Sequence, residues 1–200
     1  PRGASASRPA ATSSLLAVKT LRECSGCDAA ELRIFAGKAS GGVSGGTLET
    51  AIRLATDAEY PGKKECRADG LYVLAPGGRP REAPFCDGMR MFGYDRLAKT
   101  WFMPSVMAAA NTPVVLKSAA LLNYGDICRV SEVQALPNLV VAALGSALLA
   151  TALALIALPP TRWLMFATGL LPRPGSGPSR ESRERGHFHT YTLAVGPEEA

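Results

Sequence analysis

The twenty residues Leu139–Leu158, LVVAALGSALLATALALIAL, carry no charge and nothing more polar than Ser146 and Thr151. At about 1.5 Å per residue an α-helix here reaches roughly 30 Å, the hydrocarbon thickness of a bilayer, and bonds its own backbone groups as lipid requires. Pro137 and Asn138 precede the stretch, and Pro159 and Pro160 close it. A buried helix of this length normally keeps a polar face, and this one has none. The sequence predicts one membrane helix inside a chain of otherwise ordinary polarity, with Arg162 and Trp163 at its C-terminal interface. Leu139, Leu149, Leu153 and Ile156 are its lipid- or partner-facing positions. Ala142, Ala143, Gly145 and Ser146 are small enough for a neighbouring transmembrane subunit to approach.

The remaining 180 residues exclude several functions. The net charge of +5 comes from scattered residues that become denser after the apolar run, at Arg162, Arg173, Arg180, Arg183 and Arg185. Basic flanks of this kind suit anionic headgroups, and no basic stripe with interleaved aromatics points to nucleic acid. Five cysteines, an odd number, lack disulfide spacing. Cys24-Ser-Gly-Cys27 has CxxC spacing without the second pair that a zinc site needs. His187 and His189 on one strand face would offer two metal ligands but no third. No metal site is expected. The first 22 residues hold Arg2, Arg8, Lys19 and Arg22 and no acid, amid Ser, Ala and Thr. That composition reads as a disordered tail or transit-peptide remnant over 1–30.

Alternation predicts strands at Glu31–Ala36 and His187–Val195, and Gly70–Ala75 reads as a third. Thr47 caps a predicted helix over Leu48–Asp57. Pro104–Tyr124 reads as helical with an interruption at Pro113, and Pro76–Asp87 as loop. The predicted fold is α+β: a small mixed sheet with covering helices and one inserted transmembrane or membrane-associated helix. Residues 31–136 form the first part of the domain and 137–160 the membrane helix. Residues 161–200 give an interfacial segment, a Pro/Gly loop and the returning strand.

The glycine cluster from Gly37 to Gly46 fits neither G-x-G-x-x-G nor the P-loop spacing, and Glu49 in the next helical turn would repel a phosphate. Its sequence nonetheless carries a resemblance. Lys38-Ala-Ser-Gly-Gly-Val-Ser-Gly-Gly-Thr47 resembles the segment leading into the second domain of the saccharopine dehydrogenase-like oxidoreductases, also called trans-acting enoyl reductases. Pro104-Ser-Val-Met-Ala-Ala-Ala-Asn-Thr-Pro followed by Val-Val-Leu-Lys-Ser-Ala-Ala-Leu-Leu122 is similar to another motif of that family. So are Leu170-Leu-Pro-Arg-Pro-Gly-Ser-Gly-Pro-Ser179 and Arg183-Glu-Arg-Gly-His-Phe188. These matches run in order over Ile34 to Val195.

The resemblance implies a second domain without the Rossmann half that binds NAD(P). No cofactor is therefore expected in this chain unless such a domain lies upstream. Asn111, Lys117 and Tyr124 stand as possible inherited substrate-side groups, with no catalytic residue assigned. The favoured expectation is a non-catalytic, membrane-anchored accessory subunit of an organellar complex. Its Ser/Ala-rich start favours a chloroplast thylakoid over a mitochondrial inner membrane, with a photosystem as a candidate host. Its partners would be membrane lipid and other transmembrane subunits. The alternative is a fragment of an NAD(P)-dependent, lipid-active enoyl reductase.

Overall fold

The computed structural model describes residues 7–39, 52, 70–76, 92–125, 129–171, 177 and 179–197. Strand β1 (Glu31–Ala39) lies between two others. Strand β4 (Arg129–Leu136) pairs with it in parallel, Leu32 opposite Val130 and Ile34 opposite Glu132. Strand β5 (Phe188–Val195) pairs on its other edge, antiparallel, Ile34 opposite Thr192. Strands β2 (Gly93–Asp95) and β3 (Thr100–Pro104) extend the sheet beyond β4, giving the order β2-β3-β4-β1-β5. The expected strands near Ile34 and His187 are thus both present and paired, and the sheet is mixed.

Alternation along β1 separates two apolar clusters. Leu32 and Ile34, fully buried, join Val130, helix α1 (Ser7–Ser25) and helix α2 (Ala108–Leu122) in one core. Phe35 joins Phe102 and Val133 in the other and stacks on Tyr191 at 4.9 Å. On that second side Arg33 reaches Glu31 at 2.6 Å and Asp95 at 3.2 Å. The hydrogen bond with Glu31 is the main cause that holds the guanidinium pKa above its ordinary value. Asp95 also accepts from Leu97 N and Ala98 N, closing the β2–β3 turn.

Several expectations are corrected. The stretch read as a disordered tail contains helix α1, because Ala10, Ser14 and Val18 recur every fourth residue and make one buried stripe. Ser13 Oγ lies 2.8 Å from Thr192 Oγ1 on β5, and Arg22 pairs with Asp28 at 2.7 Å. Gly70–Ala75 is a 3-10 turn, not a strand: Ala75 N–H donates to the Tyr72 carbonyl at 2.8 Å, so local bonds replace a ladder. Helix α2 runs through Pro113 as one element, losing one backbone bond near the exposed Ala109. It ends at Asn123, in the left-handed region with φ 49°, and Tyr124 N–H donates to the Ala119 carbonyl. At Gly125 a Cβ would lie 2.6 Å from the Ala29 carbonyl oxygen, so the chain passes there only without a side chain. The predicted 48–57 helix and the 76–87 loop fall outside the described residues, apart from Ile52 and Pro76.

The apolar run is helix α3 (Leu139–Ala157), capped by the Asn138 side chain accepting from Val141 N at 2.9 Å. By length and composition it is long enough to cross a membrane, and only 11% of its apolar window is buried. Pro159 and Pro160 end it by opening helix α4 (Pro159–Ala167), where missing N–H groups cost nothing. A six-residue helix α5 (Arg180–Arg185) precedes β5. The small residues of α3 meet this chain's own sheet: Ala142 is fully buried, and a Cβ on Gly145 would lie 2.6 Å from Met103 Sδ. Leu139, Leu153 and Trp163 are exposed, while Ala143, Ser146, Leu149, Ile156 and Arg162 are half-buried.

This docking makes a specific prediction. Ala142→Leu overpacks the α3–sheet contact and lowers stability by about 1–3 kcal/mol, whereas Ala147→Leu on the exposed side stays within about 0.5 kcal/mol. Thermal melting followed by circular dichroism distinguishes them.

Candidate functional site

The backbone places a carboxylate where an apolar side chain would be expected. In β4 the residues facing α2 are Val130, Glu132 and Gln134, and Glu132 is 1% exposed. Ser105, in the short connection from β3 to α2, donates from Oγ to Glu132 Oε1 at 2.8 Å. The same Oγ accepts from Met107 N at 3.2 Å, fixing its position. Asn111, 1% exposed within the first two turns of α2, lies beside the carboxyl and favours its charged form. Glu132 Oε2, Asn111 Oδ1 and Thr112 Oγ1 are buried without a hydrogen-bond partner. Burial pushes the Glu132 carboxyl pKa above its ordinary value, against the opposing bonds from Ser105 and Asn111. A neutral carboxyl here can donate a proton or a hydrogen bond, the kind of group that active sites use.

Of the sequence-predicted substrate-side residues, the structure brings only Asn111 into this cluster. Lys117 is exposed on α2. Tyr124 is buried beyond the far end of the helix, more than about 16 Å along the axis from Asn111. Sequence reasoning missed Ser105 and Glu132. Their available signal was a charged residue inside RVSEVQAL, at a position whose neighbours on the same strand face are Val130 and Gln134.

The described helices do not fit a dinucleotide pyrophosphate. At the start of α2 the N–H groups of Met107, Ala108 and Ala110 are already bonded, and no glycine precedes it. Helix α3 uses the Asn138 cap, and α4 opens on two prolines without donors. The glycine cluster lies outside the described residues beyond Ala39. No group of three His, Cys, Asp or Glu able to hold a metal occurs among the described residues. His187 and His189 do come together, rings 5.6 Å apart. Cys24 is a free, exposed thiol and Cys27 a free, half-buried one, while Cys66, Cys86 and Cys128 fall outside the described residues.

The raised Glu132 pKa has a defined consequence for stability. Above about pH 4.5 the unfolded chain has released this proton while the folded chain still holds it. Stability contributed by the neutral carboxyl is therefore complete at low pH and is lost as pH rises through the folded value. Glu132→Gln keeps the acceptor for Ser105 and removes that decline. Glu132→Ala opens a cavity, strands the Ser105 hydroxyl and costs about 2–4 kcal/mol at low pH, a deficit that narrows as pH rises because the variant lacks the titrating carboxyl. Urea denaturation at a series of pH values upward from about 4.5 reads both effects. A wild-type pH slope retained in Glu132→Gln would assign it to other groups.

No family model matches the chain, and no solved structure matches it. Relatives of known name do. A trans-acting enoyl reductase of Mycobacterium bovis is 34% identical over 170 residues, covering 76% of this chain and 40% of that protein. One from Mycobacterium ulcerans is 37% identical over 111 residues, half of this chain. A Mycobacterium tuberculosis protein bearing the same name in provisional form is 31% identical over 174 residues. The chain thus spans about 40% of the length of the relatives matched over most of it. These findings correct the expectation of a non-catalytic accessory subunit. The relatives are named as enzymes and come from bacteria, so nothing supports a chloroplast, a thylakoid membrane or a photosystem. The relatives, at 31–37% identity, support the trans-acting enoyl reductase family for this chain.

Proposed function

We propose that this chain is the substrate-side portion of a trans-acting enoyl reductase working on lipid-like acyl chains. It corresponds to the second domain of the saccharopine dehydrogenase-like oxidoreductases. The observation that carries the reading is the buried Ser105–Asn111–Glu132 set. Ser105 and Asn111 lie on the stretch Pro104–Leu122 and Glu132 on the neighbouring strand β4, in a chain whose relatives are named for enoyl reduction. Reduction of a conjugated enoyl group adds a hydride at one carbon and a proton at its neighbour. The described residues offer no dinucleotide cradle, so no hydride step falls to them. Their contribution is on the acyl side: an apolar frame around a buried acid of raised pKa, held by a serine hydroxyl with an amide beside it. The apolar helix α3 suits a substrate or surface of lipid character.

The test is an assay of the whole open reading frame that encodes this sequence. It should oxidise NADPH only when a 2-enoyl thioester is present, and long acyl chains should be favoured. The purified 200-residue chain should show no saturable binding of NADPH at micromolar concentration. Absence of enoyl-dependent NADPH or NADH oxidation over short and long thioesters would overturn the reading. Saturable dinucleotide binding by the chain itself would overturn its restriction to the acyl side.

A further inference from the structure

The register of the sheet constrains where α3 can go, independently of the enzymatic reading. Strand β4 runs parallel to β1 and reaches Gln134 opposite Ala36, near the C-terminal end of β1. Strand β5 runs antiparallel and starts at Phe188 opposite Ala39, at that same end. The chain therefore leaves the sheet at Leu136 and re-enters it at Phe188 on one side of the domain. Everything between, α3 and α4 included, is a loop with both feet in one sheet.

A helix of 19 residues is about 28 Å long, enough to cross a bilayer once. A single crossing would leave Phe188 on the far side, away from its partner strand. A return crossing needs a second apolar stretch of about 20 residues. The longest uncharged run between Arg162 and β5 is Trp163–Pro172, ten residues, with Arg162 before it and Arg173 after it. Lipid does not tolerate such a segment as unpaired backbone. The full span expected from the sequence thus conflicts with the sheet it would have to be part of.

The exposed surface of α3 still demands an apolar surrounding. Val140, Leu144, Leu148 and Leu153 point outward around the helix, at 47–72% exposure. A protein groove covers one face of a helix, and a helix made for one keeps a polar face opposite. Lipid covers all of them. Helix α4 adds Trp163 and Leu164, exposed at 71% and 55%, beside Arg162.

We infer that α3 and α4 dip into a single leaflet of a bilayer and emerge on the side they entered. The domain is then held monotopically rather than by a transmembrane anchor. Half the hydrocarbon core is about 15 Å deep, so a helix of this length must lean by roughly 60° or more from the membrane normal. The basic residues at Arg180 and Arg185, each paired with a glutamate on α5, stay in the headgroup or aqueous layer with β5.

The experiment uses the full chain and vesicles of phosphatidylcholine and phosphatidylglycerol. The protein should co-sediment with them and resist salt extraction. Leu148→Glu with Leu153→Glu should weaken co-sedimentation on the order of a hundredfold or more, with an unchanged thermal melt in solution. Two single-cysteine forms then report sidedness when the protein is added from outside: one keeps only Cys24, upstream of α3, and the other carries only Glu184→Cys, downstream. Both should react equally with a membrane-impermeant maleimide. If Glu184→Cys is protected until detergent is added, the helix crosses the bilayer and the inference fails. Failure of the wild-type chain to bind vesicles, or unchanged binding by the double glutamate variant, also overturns it. Neither result depends on whether the protein reduces enoyl groups.

Discussion

Strand β1 makes the molecule one unit. Among the described residues it is the only strand that contacts both β4 and β5, and its two faces feed two separate cores. Through β5 it fixes helix α1, via the Ser13–Thr192 contact, and through β4 it fixes the polar cluster under α2. A parallel neighbour on one edge and an antiparallel one on the other send both exits of the α3–α4 excursion to the same end of the sheet. Without β1, neither the buried carboxyl nor the two feet of the apolar loop would have a defined position.

The cluster under α2 shows how the same scaffold tolerates a costly group. A buried charged carboxylate costs several kcal/mol, so the site favours the neutral acid. Ser105 and Asn111 reduce the cost without removing it, leaving the pKa raised and three polar atoms unpaired. Structures retain such frustration mainly where function uses it. Ser105 and Asn111 lie on the stretch Pro104–Leu122 and Glu132 on β4, and the proposed acyl-side role rests on this cluster.

Part of this was legible in the sequence. Alternation marked β1 and β5, and the uncharged run with its flanking prolines marked α3 to within a residue. Strands β2, β3 and β4 were not legible. Gly93–Asp95 is too short to show a period, and β4 is buried on both faces, so its pattern (RVSEVQAL) does not alternate. Helix α1 was masked by its Ser/Ala/Thr content, whose small side chains are what allow close packing on β5. Glu132 was marked only by a charge inside RVSEVQAL, because it is three-dimensional burial that raises the pKa of an ordinary strand glutamate. The organellar assignment rested on terminal composition, a weaker signal than the family motifs, and the bacterial enzymes among the relatives corrected it.

Native-state hydrogen exchange tests the pairing on which all of this depends. Amides of Leu32–Phe35 in β1 and of Thr192–Val195 in β5 should exchange together, at the free energy of global unfolding, because breaking either ladder dissolves both cores. Exchange of the β5 amides orders of magnitude faster than those of β1 would show that the C-terminal strand is a separable flap. The α3–α4 loop would then have one foot rather than two, and the account of the domain as a closed unit would be wrong.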